Sequence, residues 1–146
     1  MVSSLAYLSL NPLLLTTSLL NESRTSKAAL ASGALSVSLA AEAQLEAILK
    51  LSKIKFSDSD DRLAIAGFTF TPFRLSGLPA IDGTLVSFDC LINHTFKGET
   101  STLAVLSPID FREGDSTLRP LIRYNRSYCE IQEIESESGE SDSYPL

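Results

Sequence analysis

The chain has 146 residues, enough for one domain with its own core, and 44% of them are hydrophobic. Its formal charge of −6 gathers at the end, where Glu130, Glu133, Glu135, Glu137, Glu140 and Asp142 stand with no Lys or Arg after them. Without those six of its 18 acids the chain has 12 acids against 12 bases, a neutral body with no basic stripe, which excludes nucleic acid as a partner.

Two cysteines, Cys90 and Cys129, with no C-x-x-C, do not make a disulfide scaffold. They fit a reducing compartment, so an intracellular protein is expected, cytoplasmic or mitochondrial. The apolar start, Leu5 to Leu20, has no Lys or Arg before Arg24 and is broken by Ser9, Asn11, Pro12, Thr16, Thr17 and Ser18. It therefore reads as neither a signal peptide nor a membrane anchor. The sequons at Asn21, Asn93 and Asn125 matter only after secretion.

In chain order, Val2 to Leu10 and Leu13 to Leu19 are predicted strands separated by Asn11-Pro12, because a residue before proline avoids the helical region. Ser23 to Ser32 offers a hydroxyl cap, good helix formers and Gly33 just past the end, the signature of a short helix. Ala34 to Leu39 alternates as a strand, and Glu42 to Leu51 places Leu45, Ile48 and Leu49 at helical spacing. Ser52 to Asp61 reads as a surface loop and Ile65 to Phe73 as a short extended stretch. Turn signals at Gly77-Leu78-Pro79 and Asp82-Gly83 lead into a long strand, Thr84 to Phe96, which turns at Lys97-Gly98-Glu99 into its partner, Thr102 to Phe111. Leu121 to Ile131 is expected to close the sheet. The segment from Gln132 to Leu146 has hardly any apolar content and is expected to be a disordered acidic tail after a single domain over residues 1–131. These elements, about six strands and two helices, predict a mainly β fold with helices (α+β), a small barrel with helices outside.

One histidine and two dispersed cysteines cannot assemble a zinc site, and no phosphate-cradling glycine motif occurs. His94 is a lone strand histidine, more often structural than catalytic, and no catalytic residue can be named. The chemistry that remains is Asn21-Glu22-Ser23-Arg24-Thr25 at a helix start, where amides, the helix dipole, hydroxyls and a guanidinium make an anion site. On spacing alone, Ser23 or Thr25 could equally be a helix cap and nothing more.

Five short motifs in order then carry a resemblance. Val2-Ser3-Ser4-Leu5, Ser9-Leu10-Asn11-Pro12, Asn21 to Thr25, Gly77-Leu78-Pro79 with Cys90, and Pro120 to Asn125 with Tyr128 resemble the T-x-S-S-F, S-x-x-P, N-x-S-x-T, G-L-P and P-L-x-x-Y segments of the flavin reductase-like, FMN-binding split-barrel family. The resemblance implies a split β-barrel and an FMN-dependent oxidoreductase passing hydride from NADH or NADPH to flavin, with FAD as an alternative cofactor. It implies phosphate ligands at Ser23, Arg24 and Thr25 beside Asn21, and Ser3 and Ser4 at the isoalloxazine edge. Leu10, Asn11 and Pro12 would present backbone groups near the ring, and Tyr124 or Tyr128 would approach across a homodimer interface, although either tyrosine reads equally well as core. A monooxygenase partner follows from family habit.

Two departures stand out. The family's G-D-H element, associated with nicotinamide and flavin contacts, is here Gly98-Glu99-Thr100, which leaves open a non-catalytic flavin-binding or structural dimer module. The chain also begins with the Ser-Ser segment under way, so an N-terminally shortened barrel is expected.

Overall fold

The computed structural model describes residues 4–55 and 61–132; Ser3, residues 56–60 and the acidic stretch from Glu133 lie outside them. Strands β1 (Leu5–Leu10) and β2 (Leu13–Leu20) form an antiparallel hairpin turned by Asn11-Pro12. Helix α1 (Arg24–Ser32) follows and leads into β3 (Ala34–Leu39). A 3-10 turn, Glu42–Gln44, runs into α2 (Leu45–Lys53), and α3 (Arg62–Ala66) comes next. Two three-residue strands, β4 (Phe70–Pro72) and β5 (Pro79–Ile81), pair with each other. The long strands β6 (Val86–Lys97) and β7 (Ser101–Glu113) form a hairpin, and β8 (Ile122–Tyr124) pairs with β9 (Ser127–Cys129).

The main sheet is antiparallel, in the order β1-β2-β7-β6-β3. Strand period two decides its faces. Leu15, Thr17 and Leu19 of β2 sit opposite Leu106, Ala104 and Thr102 of β7, and all six are buried. With Val37 and Cys90 they make the core, against which Leu5, Leu35, Phe88 and Ile92 pack. Burying each large aliphatic side chain contributes roughly 1.5–3 kcal/mol, so the sheet is held by this face. Two bulges bend β6–β7: Ile109 is the extra residue where Asp89 faces Asp110 and Cys90 faces Pro108, and Asn93 is extra where Ile92 faces Leu106 and His94 faces Val105. Pro108 has no N–H to give a ladder, and a bulge is where a strand tolerates it.

A mostly β chain with a few helices is what the sequence pattern predicts, and the bounds of β2, α1 and β3 and the end of β1 agree closely with it; β1 itself begins at Leu5, and the expected Val2 and Ser3 lie outside the described residues. Three segments differ. The stretch beginning at Ile65 is not extended at its start: Asp61 Oδ1 accepts from the amides of Leu63 and Ala64, and Gly67 at φ +94° closes a five-residue helix, α3, before β4. Leu121 to Ile131 does not close the main sheet, because left-handed Asn125 and Arg126 turn it back on itself as the separate β8–β9 hairpin. It is tied to the body by the bridge Ala41↔Pro120 and the bond from Leu121 N to Ala40 O. The strand β5 arises where two turns were expected. Among the described residues no helix is long and apolar enough to cross a membrane.

Candidate functional site

The start of α1 is fixed from two sides. Ser23 is its N-cap: its Oγ accepts from the Ser26 amide at 3.0 Å and shares a hydrogen bond with Ser26 Oγ at 2.9 Å. At the other end Gly33, at φ +73°, donates to Ala29 O. The amide of Lys27 makes the first intrahelical bond, to Ser23 O. Ahead of it the Ser26 amide is taken by the Ser23 hydroxyl, and no acid occupies the first turn of α1. Arg24 and Thr25 lie exposed in that turn.

Asn21 is occupied differently. Its Nδ2 donates to Gly98 O at 3.1 Å and Glu99 O at 3.2 Å, its Oδ1 accepts from Thr102 Oγ1 at 2.7 Å, and its amide donates to Thr100 O at 3.0 Å. The side chain therefore spends its donors and acceptor on locking the helix start to the β6–β7 turn. Sequence reading singled out Asn21 but missed Thr102, and spacing offers no signal for a contact 81 residues away. Glu22, the acid nearest the site, is paired with Lys27 at 2.8 Å. The Lys27 hydrogen bond, then its charge, and to a lesser degree Lys97, hold the Glu22 carboxyl below its usual range.

The hairpin register sorts the remaining candidates. Thr17 Oγ1 donates to Ser4 O at 2.7 Å, and Leu5 faces Thr17, so Ser4 lies at the α1 end of the β1–β2 hairpin. Leu10 faces Leu13, so Leu10, Asn11 and Pro12 lie at the opposite end. Seven strand steps separate Leu13 from Leu20, roughly 23 Å at about 3.3 Å each. The register thus puts Ser4 at the end of the β1–β2 hairpin from which the chain leaves for α1, and Leu10, Asn11 and Pro12 at its other end; Ser3 lies outside the described residues. Tyr124 is 74% exposed on β8, in the separate small sheet, while Arg123 stacks 5.8 Å over the Tyr128 ring. Among the described residues no group of three or more His, Cys, Asp or Glu is placed to hold a metal ion.

Comparison with known proteins gives this arrangement a context. A family model described as flavin reductase like domain matches residues 1–132. Nitrilotriacetate monooxygenase component B from Mycobacterium thermoresistibile is 27% identical, with a TM-score of 0.79 over 99% of this chain and 79% of that one. The flavin reductase of styrene monooxygenase from Pseudomonas putida S12 shares the fold at 24% identity, with a TM-score of 0.75 over 92% and 81% of the two chains. The NADH:FAD oxidoreductase of Streptomyces globisporus C-1027 does so at 16% identity, with a TM-score of 0.80 over 90% and 76%. None of the curated proteins compared with the chain matches it.

Proposed function

The chain belongs to the flavin reductase like domain family, and on that premise we propose that it is an FMN-binding oxidoreductase of the flavin reductase type, taking hydride from NADH or NADPH. The observation that carries the reading is the start of α1, a capped helix end with exposed Arg24 and Thr25 and no acid in its first turn, locked to the β6–β7 turn by Asn21. A flavin phosphate there would meet helix amides, the Thr25 hydroxyl and the Arg24 guanidinium, with Ser23 shaping the turn by capping it. Ser3 and Ser4, which precede β1 in the chain, are the residues for the ring edge. Leu10, Asn11 and Pro12 stand too far along the hairpin to share one mononucleotide with Thr25. The flavin supplies the hydride chemistry, and the protein's part is to bind and orient it.

The same reading includes a homodimer: Phe96 and Leu103 face each other across β6–β7 and are 65% and 42% exposed, an apolar pair that a second copy would cover. In a homodimer Tyr124 would approach the flavin of the other subunit. The relatives that are components of two-component oxygenases make a monooxygenase the partner class for the reduced flavin. FAD is the alternative cofactor. A second reading, a flavin-binding module without turnover, is favoured by Gly98-Glu99-Thr100: the turn carries no histidine, and its backbone carbonyls are taken by Asn21.

FMN titration with steady-state oxidation of NADH and NADPH tests both. Replacing Arg24 and Thr25 together by Ala should weaken FMN binding at least about tenfold, the loss expected from one or two charge-assisted hydrogen bonds. Unchanged affinity in a folded double variant sinks the phosphate assignment, and flavin binding without turnover selects the second reading.

A further inference from the structure

Asp89 lies within β6, fully buried, and neither of its carboxylate oxygens has a hydrogen-bond partner. Nearby hydroxyls are spent on each other. Ser87 Oγ bonds Ser38 Oγ at 2.7 Å and Thr84 Oγ1 at 3.1 Å, and Thr84 Oγ1 donates to Ile81 O at 3.0 Å. Strand pairing sets Ser36 of β3 opposite Asp89 on one side and Asp110 of β7 opposite it on the other. Side chains paired in this way share a face, with Cβ atoms roughly 4.5–5.5 Å apart. A half-buried hydroxyl and a second, half-buried carboxylate therefore flank the orphaned one. Arg112, two residues beyond Asp110 on β7, does not neutralise them: its guanidinium donates to Thr71 O at 3.1 Å and Pro72 O at 2.8 Å and lies over the Phe73 ring.

We propose that Asp89 and Asp110 hold a hard divalent cation within the sheet, with the Ser36 hydroxyl as a further oxygen donor. Carboxylates directly opposite each other repel, and a buried charge is stable only when paired or bound to a metal ion. Two of them balance one dication. Oxygen donors without nitrogen or sulfur select the calcium and magnesium class over zinc or copper. Because Asp89 is wholly covered, a bare ion fits where an organic cation or a side chain of another protein does not. Calcium is favoured over magnesium, since it accepts irregular sets of protein oxygens, whereas magnesium keeps several waters for which a covered carboxylate leaves little room. The ion would sit where the β6–β7 register shifts between Asp89 and Cys90, and would tie β3, β6 and β7 together at that break.

The proposal is independent of the flavin reading, and its test uses the full chain stripped with EDTA and then freed of chelator. Calorimetric titration with CaCl2 should show one saturable component, and saturation should raise Tm by several degrees. NaCl at equal ionic strength should not raise it, and MgCl2 should bind more weakly than CaCl2. Asp89→Asn, which keeps the shape and removes the charge, should weaken calcium binding at least about tenfold and abolish the Tm rise. Asp110→Asn, at a position that is only half-buried, should also weaken it about tenfold, while the exposed control Asp82→Asn leaves it unchanged. Any weak calcium binding by the acids from Glu130 onward would persist in every variant, so the component lost with Asp89 is the one that counts. The idea is overturned if the stripped chain shows no saturable calcium component, if calcium does not raise Tm, or if Asp89→Asn binds calcium as tightly as the parent. Should Asp89→Asn not fold, parental affinity in Asp110→Asn overturns it equally.

Discussion

Thr102 donates its hydroxyl to Asn21 Oδ1 across 2.7 Å, joining the loop before α1 to the second residue of β7. The bond is partly buried and belongs to a set in which Asn21 also holds Gly98 and Glu99. Replacing Asn21 by Ala removes three side-chain hydrogen bonds at once. The expected cost is roughly 2 kcal/mol, a fall of several degrees in Tm, accompanied by weaker FMN binding because the helix start loses its support. Thermal denaturation and flavin titration of one variant check both halves; loss of affinity at unchanged Tm would point to a direct contact instead.

The turn that Asn21 grips is where the chain departs from its family. Changing Glu99 to Asp and Thr100 to His restores the family element while leaving the Gly98 and Glu99 carbonyls where Asn21 finds them. The double variant should raise kcat/KM for NADH or NADPH severalfold, with FMN affinity little altered. If turnover is unchanged, the histidine is not what this chain lacks.

Cys90 gives a pH signature. It is fully buried in the core, and burial first, with the Asp89 charge second, pushes its thiol up to about 12. An unfolded thiol ionises near 8.5, so the folded state holds this proton more tightly. The Cys90 contribution to stability is complete below about pH 8.5 and is lost as pH rises from there toward 12. Denaturation midpoints should fall over that window in the parent and less steeply in Cys90→Ala. A thiol reagent at pH 8 should modify exposed Cys129 quickly and reach Cys90 only on unfolding.

Gly114 closes the end of β7 against the start of β6. Its amide donates to Leu85 O at 2.9 Å, and a Cβ placed on it would lie 1.9 Å from Thr84 O. Gly114→Ala must push two backbones apart, and a loss of about 3 kcal/mol or more is expected. Gly33→Ala, where space is open but φ is +73°, should cost only about 1–2 kcal/mol. Chemical denaturation ranks the two, and the reverse order would mean that the Thr84 segment yields easily.

Where the sequence was legible, the signals were local. The Asn11-Pro12 break, the Ser23 cap and the Gly33 terminator set the end of β1, β2 and α1 nearly to the residue, because each acts on its own neighbours. Asp61 and Gly67 were the same kind of signal around α3, but five residues are too few to show a helical period. The β8–β9 hairpin escaped because non-glycine residues, Asn125 and Arg126, take its left-handed turn positions. At the site, the helix start could be read from residue types, whereas its clamp could not: which carbonyls Asn21 finds depends on β7 lying beside β2, a fact of topology. The β1–β2 register puts Ser4 at one end of the hairpin and Pro12 at the other, and motif order along the chain carries no such distance.

The strand order also sets a sequence of events in folding. β2 and β7 lie side by side although about eighty residues separate them, so their pairing closes a long loop before any contact rewards it. β6 and β7, joined by a tight turn in which Gly98 donates to Ser101 O at 2.8 Å, need no such closure. The β6–β7 hairpin is therefore expected to form first and to serve as the template on which the β1–β2 hairpin docks, with Asn21 latching last. Pulsed hydrogen exchange during refolding should protect amides of β6 and β7 before those of β2, and simultaneous protection of all three strands would rule that order out.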